Sequence, residues 1–404
     1  MNKYADLLKT RGVARIISAQ LTARLPSGML SLAYLLHIEA IFDSYGLAGL
    51  VLAATSLGQA IAGPLTSRWM GYWAMRPVII VTIAVSILSM AGIAFASLPI
   101  GGYIIVGFIG GLATPPIQPA VRTIYPTMVN SKQLTPLFSL DASAQEIIWI
   151  AGPVVTTFVA TQISTVWAIL VAAAFLIGGG VWFLSCRELG TVTIPPSRSK
   201  MGVVLKKPAV MLATVVGFLL IGSAAAVEVA VVSVFGEEGA QAGLVLAIWA
   251  FGSIIGGLGL GGLAIGPWAL ATRMAVVFVG ISLAGFILDF WWISFALLIA
   301  GAGIAPALAV MFAIVSSSVK FSETAEAYGW MGSGQLVGAA LGSAIAGFAI
   351  DGFGSPGGFA AAAAFALVGV LVATIFRGAH PDLRGKDPSP IPDTEPVGTI
   401  TQQP

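Results

Sequence analysis

Four ionisable side chains interrupt long apolar runs and are the first candidates for chemistry: Arg24, Arg122, Asp141 and Glu146. If those runs cross a membrane, each charge costs at least about 2.5–3.5 kcal/mol near the centre, so it must face a partner or a wet cavity. Arg24 and Glu146 each lie about ten residues into their runs from the same side. With a helix rise of about 1.5 Å per residue, opposite charges then share one depth. Low dielectric disfavours a charged carboxylate, whereas a neighbouring guanidinium favours it. A ligand that disturbs such a pair moves a proton, so Glu146 with Arg24 is the candidate proton-coupling pair. The same residues could instead be a structural ion pair, because losing either partner is damaging in both readings. Arg122 and Asp141 lie about two turns from one face and form a second candidate pair, a salt bridge or gate at that mouth. Glu228 falls late in its run, as a solvated acid or a proton carrier, and His37 and Glu39 are expected at an interface.

Other chemistries lack their residues. Two histidines and the single Cys186 cannot build a structural zinc site or a disulfide framework. No Gly-rich run ends in Gly-Lys-Ser/Thr, so no nucleotide-binding loop, cofactor or enzymatic site is expected. A net charge of +2 gives no bulk attraction for nucleic acid. Ligand contacts are sought among Tyr34, Gln118, Gln145 and Gln335, and among Trp149, Trp249 and Trp330, whose faces suit apolar or cationic molecules. These tryptophans could equally be ordinary membrane filling, and Trp291 and Trp292 read as interfacial anchors.

The elements that position these groups follow from composition. The 404 residues are 57% hydrophobic and 9% charged, against about 25% charged in a typical soluble domain. A bilayer-crossing helix needs about 20 apolar residues. Twelve such runs are read, at about 14–41, 46–66, 77–97, 101–125, 136–158, 163–186, 209–235, 241–264, 274–290, 292–317, 325–350 and 356–376. They are apolar throughout, unlike the alternating strands of a membrane barrel. No cleavable signal peptide is expected. The predicted fold is an all-α polytopic membrane protein.

With the N-terminus inside, 17 of the 19 basic residues fall on the cytoplasmic side, and Arg24 and Arg122 lie within spans. External connections carry only acids, including Asp43, Glu237, Glu238, Asp289 and Asp351. That asymmetry puts both termini in the cytoplasm.

Shifted by about 190 residues, the chain matches itself. AGLVLAATSLGQ from Ala48 aligns with AGLVLAIWAFGS from Ala242, and Gly28 falls on Gly222 at the same offset of 194. Pro116 falls on Pro306, Gln145 on Gln335 and Gly152 on Gly342. The expected organisation is a bundle of six spans over 1–186, a cytoplasmic linker over 187–208 and a second bundle over 209–376. A disordered, proline-rich cytoplasmic tail completes it over 377–404. Pro26, Gly28, Pro116, Gly152, Pro153 and Pro306 are candidate hinges, because broken helices at matching places in two repeats mark binding sites in transporters. Small-residue runs at 256–259 and 338–347 suit close helix contact.

On the duplication and the segment from Gly63 to Arg76, the chain resembles the major facilitator superfamily over residues 10–376. Gly63, Leu65, Arg68 and Arg76 match that family's signature between its second and third spans, whereas Ser67 stands where an acid is expected. In the family that acid belongs to a cytoplasmic charge network stabilising the outward-facing state, so Arg68 and Arg76 become candidate gate residues, with the missing carboxylate to be found elsewhere. Gly152 and Pro153 are similar to the core of the antiporter signature, and the overall pattern looks like actinobacterial drug- and sugar-efflux members. The resemblance implies alternating access between two six-helix bundles in a bacterial inner membrane, by a monomer that exports small lipophilic compounds against protons. A sugar or metabolite carrier stands as the alternative, and a non-transporting receptor or scramblase as a second. Few polar side chains within the spans weigh against sugar.

Overall fold

The computed structural model describes residues 2–197, 199–236, 240–261 and 263–393. Arg198, Glu237, Glu238 and residues 394–404 of the anticipated tail lie outside the described residues.

Twelve apolar helical segments run through the molecule. Eleven are long enough to cross a membrane: span 1 Val13–Phe42, span 2 Tyr45–Trp73, span 3 Met75–Phe95, span 4 Ile100–Met128, span 5 Ser131–Gln162, span 6 Thr165–Ser185, span 7 Pro208–Phe235, span 8 Gln241–Leu260, span 10 Phe290–Ser318, span 11 Phe321–Phe353 and span 12 Ser355–Ile375. Span 9, Ala269–Ala284, is shorter at 16 residues. It begins five residues before the expected 274, and ends early because Asp289 must cap span 10 by accepting from the amides of Trp291 and Trp292 at 2.9 and 3.3 Å. Ser44, Asn130 and Ser164 cap spans 2, 5 and 6 in the same way. Among the described residues the one β feature is a bridge from Lys320 to Ile391.

The duplication reappears as matched packing. A Cβ on Gly152 would lie 2.6 Å from the carbonyl carbon of Gly28, so spans 1 and 5 touch backbone to backbone. Their repeat partners behave alike, a Cβ on Gly342 falling 2.0 Å from the Gly222 oxygen between spans 7 and 11. Gly28 and Gly152 therefore serve as close-packing positions. Trp249, expected in a substrate cavity, is also packing: it is buried where span 8 meets Gly301 of span 10.

Expected hinges resolve unequally. Span 4 breaks at 113–116, where Pro115 and Pro116 stand in tandem, and span 1 is interrupted at Leu25 before Pro26. Span 5 is interrupted at Gln145. By contrast Pro153 and Pro306 sit inside continuous helix, since a single proline removes one amide and leaves the rest of the ladder intact. Breaks at matching places in both halves are thus absent among the described residues: spans 7, 10 and 11 run through.

Residues 377–393 differ from the expected disorder. The Ile391 amide donates to Val319, the Phe321 amide donates to Ile391, and the Leu383 amide donates to Ile265, at 2.9, 3.0 and 2.9 Å. Asp393 accepts from the Ser322 amide and hydroxyl at the start of span 11. Leu383, His380 and Ile391 give this proline-rich stretch the anchors that composition alone hid.

Candidate functional site

Two levels matter: a buried charge network at mid-depth, and the end of the bundle that carries the linker, the tail and most of the basic residues, here the basic end.

At mid-depth, Arg122 of span 4 donates through Nε to Asp141 of span 5 at 2.9 Å, and both are buried. The expected pair forms, and both side chains are enclosed by protein. Asp141 also accepts from Gln20 and Tyr125, each at 3.0 Å, so its carboxylate is well satisfied. Gln118, with its carboxamide oxygen turned to the guanidinium, accepts from both terminal nitrogens of Arg122 at 2.6 Å. The guanidinium lies 3.4 Å from the centroid of Phe312 on span 10, which ties this network to the second half. Phe312 is the residue that the repeat offset of 190 sets opposite Arg122.

Arg24 does not meet Glu146. Its two terminal nitrogens donate to Gln20 at 2.8 Å and to Gln145 at 3.3 Å, and Gln145 also accepts from Arg122 at 3.3 Å. Gln145 and Glu146 are neighbours and so leave the helix about 100° apart. The first turns toward Arg24 and Arg122. The second turns across the interface, where it accepts from the Ser253 hydroxyl of span 8 at 2.9 Å. The same hydroxyl accepts from the Ala305 amide, one residue before Pro306. Among the described residues neither Arg24 nor Glu146 has an ion-pair partner. Glu228 of span 7 is exposed.

A niche of about 60 Å³ beside Arg24 is lined by Pro26, Tyr34, Gln59 and Thr55. Trp149 is exposed, whereas Tyr34 is otherwise part of the first half's core. Gln335 packs near Gly217, with its amide nitrogen buried and unpartnered. Trp330 stands away from this level: its indole donates to Glu326 at 3.4 Å, at the basic end. His37, expected at an interface, is buried between Thr165 and the Ile93 carbonyl at 2.9 and 3.0 Å.

At the basic end the two halves are bolted together. Arg68 of span 2 pairs with Glu326 of span 11 at 2.8 Å and also holds the Ser199 carbonyl of the linker. Glu326 accepts in addition from the Gly202 amide at 2.7 Å. Glu323 collects Lys207 at 2.6 Å and the Ser199 hydroxyl at 2.9 Å. Glu326 thus gives Arg68 a carboxylate partner from the other half, where Ser67 offers none. Sequence reasoning missed both glutamates because the first turn of span 11 reads as an ordinary polar start; the signal was two acids at one helical turn's spacing beside a basic linker. Arg76 takes no part in this bolt, since it donates to the Cys186 carbonyl within its own half at 3.4 Å. Further links join the halves: Ser139 and Tyr4 donate to the Gly257 carbonyl at 2.6 and 3.3 Å near this end, and Ser333 donates to the Ala60 carbonyl midway along span 2. Among the described residues the hydrogen bonds between halves lie at this end or around mid-span. None joins them at the opposite end.

Outside the spans, burial pushes the Glu188 carboxyl up, but the hydrogen bonds and charge of Arg15, 2.7 Å away, outweigh it and hold the group below its ordinary value. Asp382 is pulled down to about 2 by hydrogen bonds from Arg384.

A duplicated bundle of twelve apolar helices, joined at one end around buried charges, is the architecture of a membrane transporter. The chain belongs to the Major Facilitator Superfamily, whose family model matches residues 16–289 and 272–400. Solved structures of the same fold include the human organic anion transporter MFSD10 (TETRAN), with 16% identity, TM-score 0.68 and coverage of 90% of this chain and 99% of that one. A bacterial homologue of the iron transporter ferroportin, in an outward-facing state, has 11% identity, TM-score 0.72 and coverage of 91% and 100%. The E. coli fucose:proton symporter has 13% identity, TM-score 0.71 and coverage of 90% and 98%. At these identities the likeness is one of fold. Among curated protein sequences none matches the chain.

Proposed function

We propose that the protein is a proton-coupled exporter of small lipophilic compounds that works by alternating access, as a monomer, in a bacterial inner membrane with the basic end and both termini cytoplasmic. The observation that carries this reading is the Glu146–Ser253 contact, a carboxylate without a basic partner that bridges the two halves at mid-depth. An ionised carboxylate there is costly unless paired, so its charge state is tied to whatever enters beside it. Protonation turns the charge-assisted bond from Ser253 into a weaker neutral one and loosens the link between halves, while the bolt through Arg68 and Glu326 closes the cytoplasmic side. Arg122, Asp141 and Gln145 hold spans 4 and 5 in register, and the breaks beside Pro26 and Pro116 let spans 1 and 4 bend during the exchange.

A second reading rests on Arg24. Its guanidinium has hydrogen bonds only to glutamine oxygens, whereas Arg122 is neutralised by Asp141, so the network keeps one uncompensated positive charge. That favours an organic anion over a sugar as the alternative cargo, since sugar recognition needs many more hydroxyl partners than the niche offers.

Flux into proteoliposomes under an imposed pH gradient tests both, with lipophilic cations, neutral lipophiles, organic anions and sugars, and with Glu146→Gln beside wild type. Gradient-driven flux lost in Glu146→Gln, with passive exchange retained, supports proton coupling through Glu146. Equal gradient-driven flux in both removes Glu146 from that role. Flux of anions alone, lost in Arg24→Gln, favours the second reading, and no flux of any class returns the protein to the receptor or scramblase reading.

A further inference from the structure

A cavity of about 1010 Å³ lies at the basic end of the second half, between the connection from span 8 to span 9 and the docked tail. It takes no part in the transport reading. Its wall carries Arg273 at the start of span 9 and Arg377, His380 and Arg384 from the tail. Arg273 is 8% exposed, and its Nε has no hydrogen-bond partner; one terminal nitrogen caps the Ala269 carbonyl at 3.0 Å. His380 is 4% exposed, with Nδ1 on the Pro381 carbonyl at 2.7 Å and Nε2 unpartnered. Burial and the nearby Arg273 charge push its imidazole below the ordinary histidine value. Arg377 stacks over Trp268 with its guanidinium carbon 4.6 Å from the ring centroid. The nearest acid, Asp382, is spent on Arg384 through bonds of 2.9 and 2.7 Å.

Buried donors without acceptors are costly, about 1–3 kcal/mol each and more for charged groups, and so rarely go unfilled. Here the buried Arg273 Nε–H is such a donor, on the wall of a space that the guanidinium of Arg377 also lines, and among the described residues Asp382 is already taken by Arg384. Oxyanions match arginine forks in charge and geometry. The rim adds an apolar side: Leu263 and Trp268 are exposed where the helices leave the membrane. A basic cluster beside an apolar rim at a membrane face suits an anionic headgroup whose chains lie along the helices.

We propose that this cavity is a binding site for a phosphate oxyanion, held by Arg273 and Arg377. The phosphate can come from an anionic lipid or from a free solute. Because the tail supplies three of the four basic groups and is pinned by the Leu383 and Ile391 hydrogen bonds, an occupied site also fastens the tail to span 9.

The test uses the full chain in neutral detergent. Retention of phosphatidylglycerol and of phosphatidylcholine is counted by native mass spectrometry, with and without inorganic phosphate, for wild type, Arg377→Gln and Arg273→Gln. Arg377 is exposed on the tail, so its variant keeps the fold even where the buried Arg273 variant does not. Selective retention of phosphatidylglycerol that falls at least tenfold in Arg377→Gln and resists inorganic phosphate supports the site with lipid as the source. Inorganic phosphate that displaces the lipid and raises the melting temperature of wild type but not of Arg377→Gln supports the site with a free solute as the source. Equal retention of both lipids with no phosphate effect, or binding unchanged in Arg377→Gln, overturns the proposal. None of these readouts involves flux, so they fail or succeed independently of the transport reading.

Discussion

Removing Arg68 should shift the protein away from the state described above. The guanidinium spans both halves, with one nitrogen on Glu326 at 2.8 Å and another on the linker carbonyl of Ser199. Glu326 has only 3% of its side chain exposed, so losing Arg68 strands a carboxylate in protein. Breaking a buried pair costs about 3–5 kcal/mol. Glu326 keeps donors from Gly202 and Trp330 at 2.7 and 3.4 Å, which holds the loss to the lower end. Both partners separate when the basic end opens, so the cost falls on the closed state alone. About 3 kcal/mol corresponds to roughly a hundredfold change in the closed-to-open ratio, at about 1.4 kcal/mol per tenfold. Spin labels at Lys132 and Lys320, one in each half at the basic end, report that ratio in nanodiscs by double electron–electron resonance. Arg68→Ala and Glu326→Gln should each add a longer distance to the single short one of wild type. Arg76→Ala should not, because its partner lies in its own half. An unchanged distance distribution in both variants, with wild-type melting temperature, would refute the idea that this bolt sets the closed state.

Two further outcomes follow from packing and from titration. Gly152→Ala puts a methyl 2.6 Å from the Gly28 backbone and should destabilise the fold by about 1–3 kcal/mol, seen as a lowered melting temperature in detergent. Gly342→Ala should behave alike, and Gly347→Ala, which meets open space, should not. The depressed Glu188 carboxyl contributes stability that is fully present above its ordinary value of 4.5 and lost as pH falls through its lower folded value. Wild type should therefore lose more thermal stability than Glu188→Gln between about pH 5 and pH 3. Parallel pH curves for the two proteins would show that the contact with Arg15 contributes nothing.

What sequence could show was set by periodicity and by repetition. Twelve apolar runs, their order and the matched glycines all follow from patterns that extend over many residues, and the Arg122–Asp141 pair follows from depth plus opposite charge. The same rule misled at Arg24 and Glu146, because depth says nothing about azimuth: Gln145, not Glu146, faces Arg24. Neighbouring positions on one helix leave it in different directions, and nothing in the local residues says which of the two faces Arg24. Long-range partners were equally hidden. Glu326 lies 258 residues from Arg68, and only the closed arrangement of the halves brings them together. Composition hid the docked tail, since Leu383 and Ile391 are isolated apolar residues among prolines and charges.

The mid-depth charges also have an electrical consequence. Arg24 and Arg122 balance Asp141 and Glu146, so the first half carries no net charge at that level, while the repeat sets Phe218, Phe312, Met331 and Leu336 at the equivalent places of the second. A membrane potential does work on a moving body only in proportion to its net charge, about 2.3 kcal/mol per elementary charge per 100 mV across the full field. With all four groups ionised, rocking of the first half draws nothing from the voltage. One proton on Glu146 turns the same body into a monovalent cation, and the field then acts on the loaded stroke and ignores the empty one.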